Sequence, residues 1–139
     1  MTAAEKKHEG SCLCGAVKFK VTGDLGEMMN CHCTHCRKSH GAAFATYIEV
    51  PWSRFEFVKG KDHLTTFKTD SSTKRSFCRS CGSIVICFAD SDKTNLEISA
   101  SVLDTPTDLK PAYDIYVRSK ASWYDITGNR PQHKRAKGA

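Results

Sequence analysis

Residues 10–21 read GSCLCGAVKFKV, and how this stretch is read decides the fold. Val17, Phe19 and Val21 alternate with Lys18 and Lys20, the period-two pattern of a strand with one wet face. Immediately before them stand Cys12 and Cys14, two apart and followed by Gly15. At the start of an extended segment, residues two apart project to the same side, so this C-x-C offers two thiolates to one ion.

The same period recurs outward along the chain. Phe44, Thr46, Ile48 and Val50 run up to Pro51, and Phe55 and Phe57 flank Glu56. HLTTFKT (63–69) carries Leu64 and Phe67, while Ile84, Ile86 and Phe88 form an inward row after Gly82. Leu96, Ile98, Ala100 and Val102 point one way, and YDIYV (113–117) reads as a last short strand. Glycines and prolines punctuate these runs as turn residues do. Only CTHCRKSHG (33–41) is suited to a helical turn or two, with Thr34 as N-cap and Gly41 as terminator. The pattern predicts an all-β domain of antiparallel sheets, with long loops that hold most of the cysteines.

A chain of 139 residues, 40% hydrophobic and 26% charged, fits one globular domain. Its net charge of +6 is concentrated at one end. Arg130, Lys134, Arg135 and Lys137 fall in the last ten residues without an acid among them, and the remainder is close to balance. Such a tail reads as a solvated end, and the body gives little electrostatic reason to bind nucleic acid. MTAAEKKHEG has no apolar stretch behind its charges, and no apolar run approaches the ~20 residues that cross a bilayer. The expectation is a cytoplasmic protein with no membrane partner. In that reducing compartment close-set thiols more often hold a metal than pair as disulfides.

Seven of the eight cysteines fall into three groups. Cys78 and Cys81, in FCRSCGS, have the spacing of a zinc knuckle, and Gly82 can supply the positive φ of its turn. With Cys12 and Cys14 they complete a closed four-thiolate site, a structural zinc that ties distant segments together. Cys31, Cys33 and Cys36, in CHCTHC, supply three thiolates with no fourth cysteine nearby. Three protein ligands and one open position is the pattern of a catalytic zinc. His40 is the residue that would close this site into a second structural one; His32 and His35 lie between ligands, where their side chains point away. Zinc is the expected metal at both groups, although thiolate-rich sites accept iron as well. Cys87, in SIVICFA, reads as a small buried hydrophobe beside Val85. Arg37, Lys38, Arg75 and Arg79 either offset thiolate charge, bind an anionic substrate or simply face water, water being the default. His8, His63 and His133 have no ligand spacing and are expected to be exposed.

Taken together, GSCLCGAVKF, CHCTHCRKSHGAAF, FCRSCGS and VRSKASWYDI resemble the glutathione-dependent formaldehyde-activating enzyme family, which includes centromere protein V-like proteins. The resemblance runs from about Gly10 to about Gly128. It implies a β-tent fold with two zinc ions, one structural on Cys12, Cys14, Cys78 and Cys81, one catalytic on Cys31, Cys33 and Cys36. It also implies a carbon–sulfur lyase that joins glutathione, or a related thiol, to formaldehyde or another small aldehyde. On this reading residues 10–128 are the zinc-binding domain, 1–9 an N-terminal tail and 129–139 a basic C-terminal tail. One departure stands out: many relatives carry a histidine before the last strand, where PAYDI places Asp114. The competing function is a non-catalytic zinc module that binds a macromolecule, nucleic acid included, through the basic tail. Redox sensing by release of zinc from exposed thiolates is compatible with either.

Overall fold

Val17, Phe19 and Val21 are at most 1% exposed, as their alternation requires, and they open a chain built almost entirely of strands. The computed structural model describes residues 6–138. In order the elements are β1 (Lys7–Ser11), β2 (Lys18–Thr22), β3 (Met28–Cys31), α1 (Thr34–His40), β4 (Ala45–Pro51), β5 (Phe55–Lys59), β6 (Leu64–Lys68), β7 (Thr73–Cys78), β8 (Ile84–Ala89), β9 (Asn95–Ser99) and β10 (Pro111–Ile115). With one α-helix among the described residues, the fold is all-β. No helix among them is long and apolar enough to cross a membrane.

These residues group into two compact units, each discontinuous in sequence: 6–26 with 48–107, and 27–47 with 108–138. β4 gives its first three residues to the second unit and its last four to the first.

In the first unit β1-β2-β5 is an antiparallel sheet, and a second sheet runs in the order β4-β9-β8-β7-β6. Val50, Val85, Ile86, Leu96 and Ile98 fill its core. Phe55 stacks on Phe19 and meets the edge of Trp52, which in turn meets Phe88. In the second unit the order is β10-β3-β4, and β10 pairs with β3 in parallel. A parallel pair needs a long connection, which the chain between β3 and β10 supplies, and no periodicity reveals it.

Several expectations change. β1 precedes the C-x-C, so Cys12 and Cys14 sit in the hairpin loop joining β1 to β2 rather than at the start of the first strand. There the Cys12 carbonyl accepts from the Gly15 amide at 3.0 Å. Residues 7–9, read as part of an N-terminal tail, are strand; residues 1–5 lie outside the described ones. β3 (MMNC) is buried at all four positions and β7 (TKRSFC) carries two cations, so neither alternates and neither is legible as a strand. Phe67 is 61% exposed because, three residues beyond Leu64, it falls on the other strand face. Ala100–Val102 leaves β9 as a 3₁₀ turn.

The basic segment is docked along its backbone, although most of its side chains face water. The Asp114 amide donates to the Pro131 carbonyl at 3.0 Å and the His133 amide to the Asp114 carbonyl at 2.9 Å; the Tyr116 amide donates to the Arg135 carbonyl, also at 2.9 Å.

Candidate metal centres

Two loops of the first unit bring four sulfurs together. Cys12 and Cys14 come from the β1–β2 loop, Cys78 ends β7, and Cys81 lies in the turn that follows. That turn closes with the Gly82 amide donating to the Cys78 carbonyl at 2.8 Å, and Gly82 takes φ +79° as the knuckle requires. The Leu13 amide donates to Ser83 Oγ at 3.0 Å, joining the two loops directly. All four ligand atoms lie within 4.8 Å of one another, and Cys14 Sγ is 3.7 Å from both Cys12 Sγ and Cys78 Sγ.

These separations test the fit to a metal. Four sulfurs at about 2.3 Å from a central zinc stand about 3.8 Å apart along a tetrahedral edge, whereas a disulfide brings them to about 2.05 Å. The geometry is that of ligands, and all the cysteines are free thiols.

Electrostatics agrees with the geometry. The Ser83 hydroxyl, its amide and the Cys14 amide stabilise the Cys81 thiolate and bring it down to about 5. An amide from Ala16 favours the Cys14 thiolate, but desolvation and the neighbouring sulfurs outweigh it and push Cys14 up to about 11. A cation bound among the four sulfurs would offset this repulsion and favour the thiolate form of each.

The second unit brings three sulfurs together. Cys31 ends β3, Cys33 is the residue just before α1, and Cys36 lies in its first turn. Cys33, not Thr34, is the N-cap: its sulfur accepts from the Cys36 amide at 3.2 Å. Cys31 and Cys36 are buried and Cys33 half-buried. Cys33 and Cys36, with burial, push the Cys31 thiol well above its usual range. The group holds three cysteines and no histidine or carboxylate among the described residues.

His40, the residue expected to compete for a fourth position, has Nε2 3.1 Å from the Tyr47 hydroxyl, which is 3.5 Å from Cys36 Sγ. Tyr47 therefore stands beside the sulfurs, a residue no spacing singled out.

His32 points away from the thiols, into the interior. It is fully buried, and its Nε2 is 2.7 Å from Asp114 Oδ2. Asp114, also fully buried, receives Arg130 Nε on Oδ1 at 2.7 Å. Burial alone would raise this carboxyl; the hydrogen bonds from Arg130 and His32 outweigh it and hold it below the usual range.

The other flagged residues divide. Lys38, Arg79 and His35 are exposed. Arg37 is half-buried and donates from Nε to the Ser119 carbonyl at 3.0 Å. Arg75 is buried on β7, against the expectation of a solvated cation, and Cys87 is buried on β8 as expected. His8, His63 and His133 are half-buried rather than exposed; His63 Nε2 lies 2.6 Å from Ser80 Oγ, and the His133 ring packs edge-on to Tyr113.

The fold and these groups define an all-β protein with two thiol clusters, each able to hold a metal ion. The family described as "Glutathione-dependent formaldehyde-activating enzyme" matches residues 7–119, and the chain belongs to it. A Halomonas elongata protein provisionally named as a glutathione-dependent formaldehyde-activating enzyme is 28% identical over 126 residues, covering 85% of this chain and 80% of its own length. An uncharacterized lyase of Schizosaccharomyces pombe is 22% identical, covering 86% and 85% respectively. The crystal structure of a Rhodobacter sphaeroides protein superposes with a TM-score of 0.60 at 25% identity, over 72% of this chain and 91% of that one.

Proposed function

We propose that this protein is a zinc-dependent enzyme of the lyase class. It would join glutathione, or a related thiol, to formaldehyde or another small aldehyde at Cys31, Cys33 and Cys36. The observation that carries the reading is the contrast between the two groups: four sulfurs closed on one another in the first unit, three in the second. Family membership and the name of the Halomonas relative supply the substrate class. Cys12, Cys14, Cys78 and Cys81 then hold the structural zinc, and residues 10–128 form the functional region.

A bound zinc supplies Lewis acidity, lowering the pKa of a thiol and polarising a carbonyl. In the reaction the thiol sulfur bonds to the aldehyde carbon, the C=O π pair moves to oxygen, and the thiol proton ends there as hydroxyl. The chain's residues provide the thiolate cradle, and they bury Cys31 and Cys36 away from water. The Tyr47 hydroxyl, held between Cys36 and His40, is placed to share a proton with the Cys36 sulfur.

The test is NMR of zinc-loaded protein with glutathione and 13C-formaldehyde, following adduct formation against the uncatalysed background. Catalysis above that background, lost in Cys33→Ser, supports the reading. No rate above background, with no glutathione binding at millimolar concentration, removes it.

A further inference from the structure

Cys31, His32 and Cys33 are consecutive, and the chain is extended at both cysteines: Cys31 ends β3 and Cys33 has φ −64° and ψ 155°. Successive side chains in an extended run point to opposite sides. Whatever anchors the His32 ring therefore sets the side to which both flanking sulfurs are presented.

His32 is gripped twice by β10. Its amide donates to the Ile115 carbonyl at 3.0 Å, and its Nε2 lies 2.7 Å from Asp114 Oδ2. Phe44 and Tyr124 pack against the ring, at centroid distances of 5.1 Å and 6.4 Å. An ionised carboxylate only accepts, so Nε2 is the donor in this pair, and the buried Nδ1 has no hydrogen-bond partner among the described residues. Asp114 is itself fixed by Arg130 Nε at 2.7 Å and more loosely by Asn30 Nδ2 at 3.5 Å. Asn30 accepts from Thr46 Oγ1 at 2.7 Å. A carboxylate with no exposure is tolerated only when its lone pairs are occupied, so Arg130, from the basic segment, completes the network.

We propose that Arg130, Asp114 and His32 form a positioning relay that holds Cys31 and Cys33 in ligating geometry for the three-cysteine metal site, so that the basic segment is part of that site's framework. This inference rests on the reading of Cys31, Cys33 and Cys36 as metal ligands. The three relay residues touch no reacting atom; they act through the two sulfurs.

Cobalt(II) titration tests the relay on the whole chain. Thiolate-to-cobalt charge transfer reports sulfur ligation, and the ligand-field bands report its geometry. The wild type is expected to take up two equivalents, one of them lost in Cys33→Ser. Asp114→Asn should weaken that equivalent by about 10–100-fold and alter its ligand-field bands, leaving the other unchanged. Arg130→Ala should shift both in the same direction by less. Wild-type affinity and spectrum at that equivalent in both variants would overturn the relay, even with a lowered melting temperature, because a purely structural pair would produce that alone. If Asp114→Asn does not fold, Arg130→Lys decides by the same criterion, since it keeps a cation beside the buried carboxylate while removing the Nε contact. A wild type that binds one equivalent only would overturn the three-cysteine reading and the relay with it, whereas two equivalents insensitive to both variants would overturn the relay alone.

Discussion

Cys33 and Cys78 carry the same thiol but differ in what each sulfur holds in place. Cys78 is fully buried at the end of β7, and its group joins the β1–β2 loop to the turn after β7 across two sheets of one unit. Cys33 is half-buried at the head of a seven-residue helix, and the two sulfurs grouped with it, Cys31 and Cys36, are three residues or fewer away in sequence. Losing the first opens a long-range staple; losing the second leaves a local loop. Cys78→Ser is therefore expected to lower stability by more than about 3 kcal/mol and to cut soluble yield. Cys33→Ser should stay within about 1 kcal/mol of wild type, bind one metal fewer and lack the proposed thiol–aldehyde reaction. Thermal melts together with metal analysis of the two variants check this, and equal stability losses would remove the division into structural and catalytic groups.

Strands set the next scale, and two of their features have measurable consequences. Gly60, between β5 and β6, has φ +76°, and a Cβ there would overlap the Ala16 carbonyl oxygen, which is backbone and cannot swing aside. Gly60→Ala should therefore destabilise by about 1–3 kcal/mol, read from urea denaturation.

The second feature is a cross-strand row. Arg75 on β7 stands opposite Cys87 on β8, which stands opposite Glu97 on β9, and Cys87 and Glu97 line a cavity of about 130 Å³ together with Glu49 and Asp92. Burial and the Glu49 carboxylate push Glu97 up from 4.5 to about 7, against the pull of Arg75. The folded chain thus holds this proton more tightly than the unfolded chain. The associated stability is complete below pH 4.5 and is lost as pH rises through 7. Glu97→Gln stays neutral at every pH. It should therefore exceed wild type at pH 8 by on the order of 2 kcal/mol, allowing for partial exposure, and differ little at pH 5. Denaturation at both pH values gives the sign directly, and a variant less stable at pH 8 would mean that the ionised Glu97 is held by Arg75.

At the scale of the whole chain, each unit carries one thiol group. The cores are small, and structural zinc contributes apparent folding free energy of about 10 kcal/mol or more in small domains, comparable to the net stability of a whole domain. Stripping metal with a strong chelator at neutral pH should lower the melting temperature by upward of about 10 °C, and restoring zinc should reverse the change. If Cys33→Ser loses as much on stripping as wild type does, the loss belongs to the four-cysteine group. An unchanged melt after complete removal would show that the sheets stand without the metal.

What the sequence determined by itself is what short-range chemistry encodes. Alternation at Val17, Phe19 and Val21 requires a strand, the spacings of Cys12, Cys14, Cys31, Cys33, Cys36, Cys78 and Cys81 set out the thiol groups, and Gly82 marks a turn needing positive φ. Each of these signals is complete within a few residues. Tertiary structure alone decided the rest. β3 carries no alternation because all four of its positions are buried, β7 carries none because Lys74 and Arg75 interrupt it, and Arg75 is buried by its position in the sheet. Asp114 and His32 meet across 82 positions, and Arg130 reaches them from a segment whose composition reads as solvent-facing. No local pattern records such a pairing, because the free energy that selects it, the desolvation of a buried carboxylate offset by two donors, exists only once the chain has brought the three residues together.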